Sequence, residues 1–188
     1  MSIEKKGEPA VADIKLAGFG GQGILTAGKI LVEIAAESGK NICWTSSYGA
    51  AMRGGTASCN CVISEEEIGT PYPQFLDILA VMNEPSYEKY KNDVKRGGYI
   101  VLNSSLIHTD DYPRDVHIVK VDATNQAIEM QNERGANLIM LGALLKATGL
   151  LDIKQFEKGL LQYFERKGRS NPKNLDCFQF GMEQYTIE

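Results

Sequence analysis

The sequence is poor in the residues that most single-chain catalysts rely on: 188 residues hold two histidines, one tryptophan and four cysteines. Neither His108 nor His117 stands near a nucleophile, so Ser-His-Asp and Cys-His catalysis have no support, and both are expected at the surface. Cys43, Cys59, Cys61 and Cys177 give one close pair, C-x-C, and no C-x-x-C set. A zinc or iron–sulfur site within this chain is therefore not expected, and buried free thiols are. No run approaches the ~18 apolar residues of a membrane span. The opening residues, Met1 to Pro9, are polar and lack the apolar core of a secretory leader, so a cytoplasmic chain with no membrane contact is expected. Neither sign of charge dominates: 20 Lys+Arg against 24 Asp+Glu give a net charge of -4, which excludes a generic electrostatic nucleic-acid binder. At 43% apolar and 23% charged, most of the chain is excluded from the disordered class.

Glycine is abundant instead, with 19 residues grouped in pairs and without a repeat period. The first group follows a short predicted strand over residues 13–18 and reads Gly18-Phe19-Gly20-Gly21-Gln22-Gly23. From Ile24 the apolar residues Leu25, Ala27, Ile30, Leu31, Ile34 and Ala35 keep a period near 3.6, and Gly39 supplies a stop. Residues 41–47 read as a second strand, completing a strand-helix-strand unit. Further strands are expected over 56–63, 77–82, 99–102 and 116–121, the runs at 77 and 99 being apolar enough for burial on both faces of a parallel sheet. Between them, Pro85 opens a short polar helix over 87–92, Gly97-Gly98 punctuates, and Asp122 or Thr124 is placed to cap a helix.

The last third reads as helical. Residues 138–145 are so uniformly apolar that they predict a core helix, with Asn137 satisfying backbone groups and Gly142 permitting close approach. Asp152 with Gln155 forms a capping box, Leu151 and Phe156 are spaced as a hydrophobic staple, and that helix runs to Gly168. Residues 151–175 carry six cations against three carboxylates, a mildly basic patch. Together these elements predict a three-layer α/β/α sandwich around a mostly parallel, mixed sheet, with a Rossmann-like first strand-loop-helix unit. Residues 1–12 form a flexible lead and 13–188 one domain.

The glycine loop fits G-x-G-x-x-G in the right context, a strand before and a helix after, where backbone N–H groups and the helix dipole can face an anion. A dinucleotide site also wants an acidic residue about 20 positions on, and Ile42 to Ser47 hold none. Three readings stay open: a dinucleotide site, a turn needed only for helix-strand packing, and a different phosphate or subunit contact. No Gly-Lys-Ser/Thr ending follows, which argues against an ATP-type loop. A second cluster, Tyr48-Gly49-Ala50-Ala51-Met52-Arg53-Gly54-Gly55, joins two predicted strands at the same sheet end. Its arginine beside two glycines suits a phosphate or carboxylate; a solvated turn is the alternative. Asn83-Glu84-Pro85 is read as a strand-to-helix turn.

Taken in order, the segments 18–31, 47–55, 77–81 and 137–143, with the basic Arg166-Lys167-Gly168 stretch before Asn174, resemble the gamma subunit of the 2-oxoacid:ferredoxin (acceptor) oxidoreductases, in its 2-oxoglutarate form. The resemblance spans residues 13–180. It implies a subunit of a thiamine-diphosphate, magnesium and iron–sulfur dependent complex that oxidatively decarboxylates a 2-oxoacid, reduces ferredoxin and delivers the acyl group to coenzyme A. It places those cofactors on alpha and beta subunits, with a ferredoxin-like delta subunit in some assemblies, and leaves this chain inactive alone and without catalytic residues or a metal. Coenzyme A phosphates or a partner subunit would be met by Gly18, Gly20, Gly21, Gln22 and Gly23 and by Tyr48, Arg53, Gly54 and Gly55. The rivals are a stand-alone dinucleotide-binding oxidoreductase and a scaffold with no ligand. The isolated chain is also open to forming a homodimer through surfaces meant for its partners.

Overall fold

The computed structural model describes residues 11–48 and 56–188. Among these residues seven strands form one sheet in the order β2-β3-β1-β4-β5-β6-β7: β1 (Val11–Phe19), β2 (Asn41–Tyr48), β3 (Thr56–Ser64), β4 (Leu76–Val81), β5 (Val94–Asn103), β6 (His117–Val121) and β7 (Thr186–Ile187). Strands β1, β4, β5 and β6 are parallel neighbours. Strand β3 is antiparallel to both β1 and β2, and β7 is antiparallel to β6. The mixed, mostly parallel sheet is as expected. Val11 and Ala12 pair with Ser64 and Ile63 as part of β1.

The first strand-helix-strand unit differs in one respect. β2 runs in the same direction as β1 but does not touch it, because β3 lies between them. At ~4.8 Å per strand, the end of β2 is about 10 Å from β1, beyond the place from which a ribose-binding carboxylate would serve the glycine loop. The dinucleotide reading thus loses its geometry as well as its acidic residue.

Among the described residues six α-helices follow in chain order: α1 (Ile24–Glu37), α2 (Glu84–Tyr90), α3 (Ala123–Glu129), α4 (Ala136–Thr148), α5 (Ile153–Arg166) and α6 (Pro172–Glu183). Five of them cover one sheet face. There Ile14, Leu16, Ile78, Ala80, Val101 and Val119 meet Ile30, Ile34, Leu141, Leu144, Phe156 and Phe178 in the larger core. α4 is buried on all sides over residues 136–145, as its composition demands. The other face has a thinner third layer, in which Tyr87 of α2 and Ile107 pack on Leu79, Val81, Ile100 and Leu102.

Local signals were mostly legible. Asp152 Oδ1 accepts from Gln155 N at 2.8 Å, Leu151 and Phe156 are buried together, and Gly168 ends α5 with φ 61°. α2 starts at Glu84 rather than Tyr87, because Asn83 Oδ1 accepts from Ser86 N at 2.9 Å and so sets the first turn. Gly97 and Gly98 do not separate elements: they lie inside β5 where its register against β4 shifts, with φ 75° at Gly97. Asp122 occupies the cap position of α3 but makes no side-chain cap bond. Asn103 of β5 does that work, its Oδ1 accepting from Ala123 N and Thr124 N at 3.2 and 3.3 Å. His108 is exposed, but His117 is half-buried and stacked on Tyr99 at 4.8 Å, so only one histidine is a surface residue. Cys59, Cys61 and Cys177 are buried thiols, whereas Cys43 is half-buried.

Tyr87 yields an alkaline prediction. Its hydroxyl donates to Asp111 O at 2.5 Å, and burial, against the opposing pull of Lys91, pushes its pKa up to about 12. The unfolded chain releases this proton near pH 10, so stability contributed by neutral Tyr87 is complete below about pH 10 and falls as pH rises toward 12. Urea midpoints measured across that window should drop for the wild type and drop less steeply for Tyr87→Phe.

Candidate functional site

The strands β1, β4, β5 and β6 all end at one edge of the sheet, and the chain leaves β1 toward β2–β3 on one side but reaches β4 on the other. That reversal beside β1 is where open α/β sheets carry ligands. A cleft of about 890 Å³ lies there. One wall is the glycine loop and first turn of α1, through Gly21, Gln22, Gly23 and Thr26; the floor includes Met82; the far wall runs from Asn132 through Arg134 to Asn137 and is completed by Phe164, Arg169, Asn171 and Asn174.

The glycines divide by role. Gly21 and Gly23 have φ of 104° and 76°, a region that side chains disfavour. A Cβ on Gly18 would press on Gln22 Oε1, Ile24 Cγ1 and Met82 Cβ at 2.6, 2.9 and 3.0 Å, so Gly18 serves packing. A Cβ on Gly20 would meet nothing within 4 Å, so packing does not account for it and a molecule can approach its backbone. Gln22 is already committed. Its Oε1 accepts from Phe19 N at 2.6 Å and Asn83 Nδ2 at 3.3 Å, and its Nε2 reaches Met82 O at 3.4 Å, pinning the loop across the ends of β1 and β4. Asn137 Nδ2 donates to Gly23 O at 3.0 Å, joining the two walls and confirming the backbone-satisfying role expected of it.

Electrostatically the cleft favours anions. α1 begins at Gly23 with no side-chain cap and no acidic residue in its first turn, and α4 begins at Gly135 in the same way. The leading N–H groups of α1 lack the internal anion that helix starts normally carry, whereas the 3-10 turn Glu133–Gly135 that runs into α4 carries Glu133. At α1 a ligand phosphate would supply it. Of the other expected site residues, Tyr48 is the last residue of β2, paired with Ala57. Arg53, Gly54 and Gly55 lie outside the described residues. β2 ends at Tyr48 and β3 begins at Thr56, which pairs with Phe19 beside the glycine loop.

Sequence reasoning missed the far wall. Arg134 and Arg169 were not singled out as ligand residues, although Arg169 lay in the basic stretch, because they are 35 positions apart and meet only when α4 and α6 pack. The thiols offer no competing site. Cys59 and Cys61 point together at α1, with Sγ–O contacts of 3.8 and 3.7 Å to Ile24 O and Gly28 O. Among the described residues no three His, Cys, Asp or Glu side chains converge as metal ligands, and no helix is long and apolar enough to cross a membrane.

Comparison with known proteins agrees with this architecture. The 2-oxoglutarate synthase subunit KorC of Methanocaldococcus jannaschii is 40% identical over 174 residues, covering 91% of this chain and 92% of that protein. Subunit VorA of the ketoisovalerate oxidoreductase of Methanothermobacter thermautotrophicus is 36% identical over 172 residues, and this chain spans 35% of its length. The gamma subunit of a keto/oxoacid ferredoxin oxidoreductase from Geobacter sulfurreducens superposes with a TM-score of 0.77 at 28% identity, covering 93% of this chain and 96% of that one. The 2-oxoglutarate:ferredoxin oxidoreductase of Magnetococcus marinus shares the fold, with a TM-score of 0.79 at 23% identity over 94% of this chain, which spans 30% of the larger one. The model of the pyruvate ferredoxin/flavodoxin oxidoreductase family matches residues 13–184, and the chain belongs to that family.

Proposed function

We propose that this chain is the gamma subunit of a 2-oxoglutarate:ferredoxin oxidoreductase, a complex that converts 2-oxoglutarate to its acyl-CoA. The observation that carries the reading is 40% identity over nearly the full length of both chains to a 2-oxoglutarate synthase subunit. Thiamine diphosphate, magnesium and the iron–sulfur clusters belong to alpha and beta subunits, a ferredoxin-like delta subunit joins in some assemblies, and ferredoxin accepts the electrons. The work takes place in the cytoplasm.

Within that complex the chain contributes a coenzyme A contact. Supporting this are the uncapped start of α1, the open backbone at Gly20, and the cleft beside them. Coenzyme A carries phosphates, and backbone N–H groups at a helix start hold phosphates without a buried counter-charge. Arg53, Gly54 and Gly55 are further candidates for a coenzyme A phosphate or a partner subunit.

The test is a mild affinity purification of the chain from its own cells. Larger subunits should co-elute, and the eluate should reduce a viologen dye only with 2-oxoglutarate and coenzyme A present. A chain that elutes alone and binds NAD would refute the reading. Activity with another 2-oxoacid would correct the substrate and leave the subunit assignment standing.

A further inference from the structure

The two edges of the sheet are finished differently. On the far side β6 is covered by β7, which is two residues long, and Glu188 closes that edge by exchanging backbone bonds with Ile118 and pairing with Lys120 at 2.8 Å. Short strands and charged side chains are what proteins place at a sheet edge to prevent further pairing. β2, at the near edge, has neither. It runs for eight residues without a charged residue or a proline, and its register with β3 advances from Asn41–Ser64 to Tyr48–Ala57 without a bulge. Among the described residues no strand pairs with its outer side. Asn41, Ile42, Ser46 and Ser47 are exposed, and Cys43, Trp44 and Thr45 are half-buried.

Alternate residues of an antiparallel strand turn their N–H and C=O groups away from its one partner, so about half of the backbone groups of β2 face outward. A regular row of this kind is a template for one more strand. The strand that matches it is β2 of a second copy. A two-fold axis perpendicular to the sheet sets even positions against even and odd against odd. Ile42, Trp44 and Ser46 of both copies then meet on the face covered by α1, and Cys43, Thr45 and Ser47 on the other. Every residue of β2 is uncharged, so no like charges are opposed within the strand pair in any register, although each chain carries a net charge of -4. We propose that two copies of this chain pair antiparallel through β2 into one continuous sheet. The blunted β7 edges end that sheet on both sides, so the assembly closes at two copies and does not grow into a filament. The inference is independent of the coenzyme A contact proposed above.

The experiment is sedimentation equilibrium of the full chain, combined with amide hydrogen exchange. The wild type should have twice the mass of one chain, and alternate amides of β2 should gain protection as the concentration is raised. Ile42→Lys with Ser46→Lys, both at exposed positions, brings cations together across the axis and should give a monomer. Ile42→Glu with Ser46→Glu should likewise be a monomer. An equimolar mixture of the lysine and glutamate variants should recover the doubled mass, a rescue that misfolded chains would not show. The wild-type mass and exchange decide the matter even where a charged variant fails to fold. A wild-type chain that stays monomeric, or a doubled mass that persists in the lysine variant, overturns the proposal. So does protection of β2 that arises only in a complex with larger subunits, which would assign the edge to a strand of one of them.

Discussion

Replacing Gly142 by valine should destabilise the chain by roughly 3 kcal/mol or more, a large share of the ~5–15 kcal/mol that holds an ordinary domain. Gly142 lies mid-way along α4, and a Cβ there would be driven into the carbonyl oxygen of Phe178 on α6, with Met182 N at 3.0 Å. The contact is reciprocal, because a Cβ on Gly181 of α6 would strike the carbonyl of Ile139 on α4. Two backbones at contact distance have no flexible side chain between them that could give way, so relief requires the helices to separate. α4 is buried on all sides, and Phe178 stacks on Phe156 of α5 at 5.1 Å, so the displacement would propagate through the larger core. The measurement is equilibrium urea unfolding of Gly142→Val beside Gly149→Ala. Gly149 has nothing within 4 Å of its Cβ position and φ 66°, so its cost should be confined to backbone strain of about 1 kcal/mol. Equal costs at the two positions would show that α4 and α6 do not meet as closely as described.

The second large effect separates stability from function. Thr26 is exposed in the first turn of α1 and lines the cleft. Thr26→Glu would bring a carboxylate to a helix start that has no acidic residue and no side-chain cap, a change that by itself stabilises a helix by about 0.3–1 kcal/mol. The same carboxylate would stand in the path of an incoming phosphate. The expected outcome is an unchanged or slightly raised unfolding midpoint together with a rise of about 10- to 100-fold in KM for coenzyme A, decarboxylation being unaffected. Added salt should weaken the repulsion and lower that KM relative to the wild type. A helix start left uncapped is a small stability sacrifice, and a bound anion would offset it. If Thr26→Glu stabilises the chain without touching coenzyme A, the start of α1 is open for another reason, such as a partner subunit's carboxylate.

Much of this molecule is written in local pattern. The 3.6 period from Ile24 to Ala35, the apolar runs at 77 and 99, and the Asp152 cap of α5 each depend on neighbours within a few residues, and each element formed where expected. Family membership was legible for a related reason, since several separated motifs must occur in order and the glycine loop is only one of them. Even the contact made by Gly142 was readable, because a glycine inside a continuous apolar helix has little use except close approach.

Three features depended on the tertiary fold. The insertion of antiparallel β3 between β1 and β2 is a matter of strand order, which periodicity does not encode, and it removed the geometry of a dinucleotide site. The cap of α3 came from Asn103, 20 residues before the helix, and not from the adjacent Asp122, because β5 ends beside the helix start. The far wall of the cleft is the third. Arg134 and Arg169 are ordinary surface arginines in the linear chain, and only the packing of α4 against α6 and the Asn137–Gly23 bond bring their wall opposite the glycine loop. Sequence by itself determined which segments are helix, strand and phosphate-compatible turn, since those follow from short-range sterics and hydrogen bonding. The shape and charge of the space those turns face were decided only when distant segments packed against them.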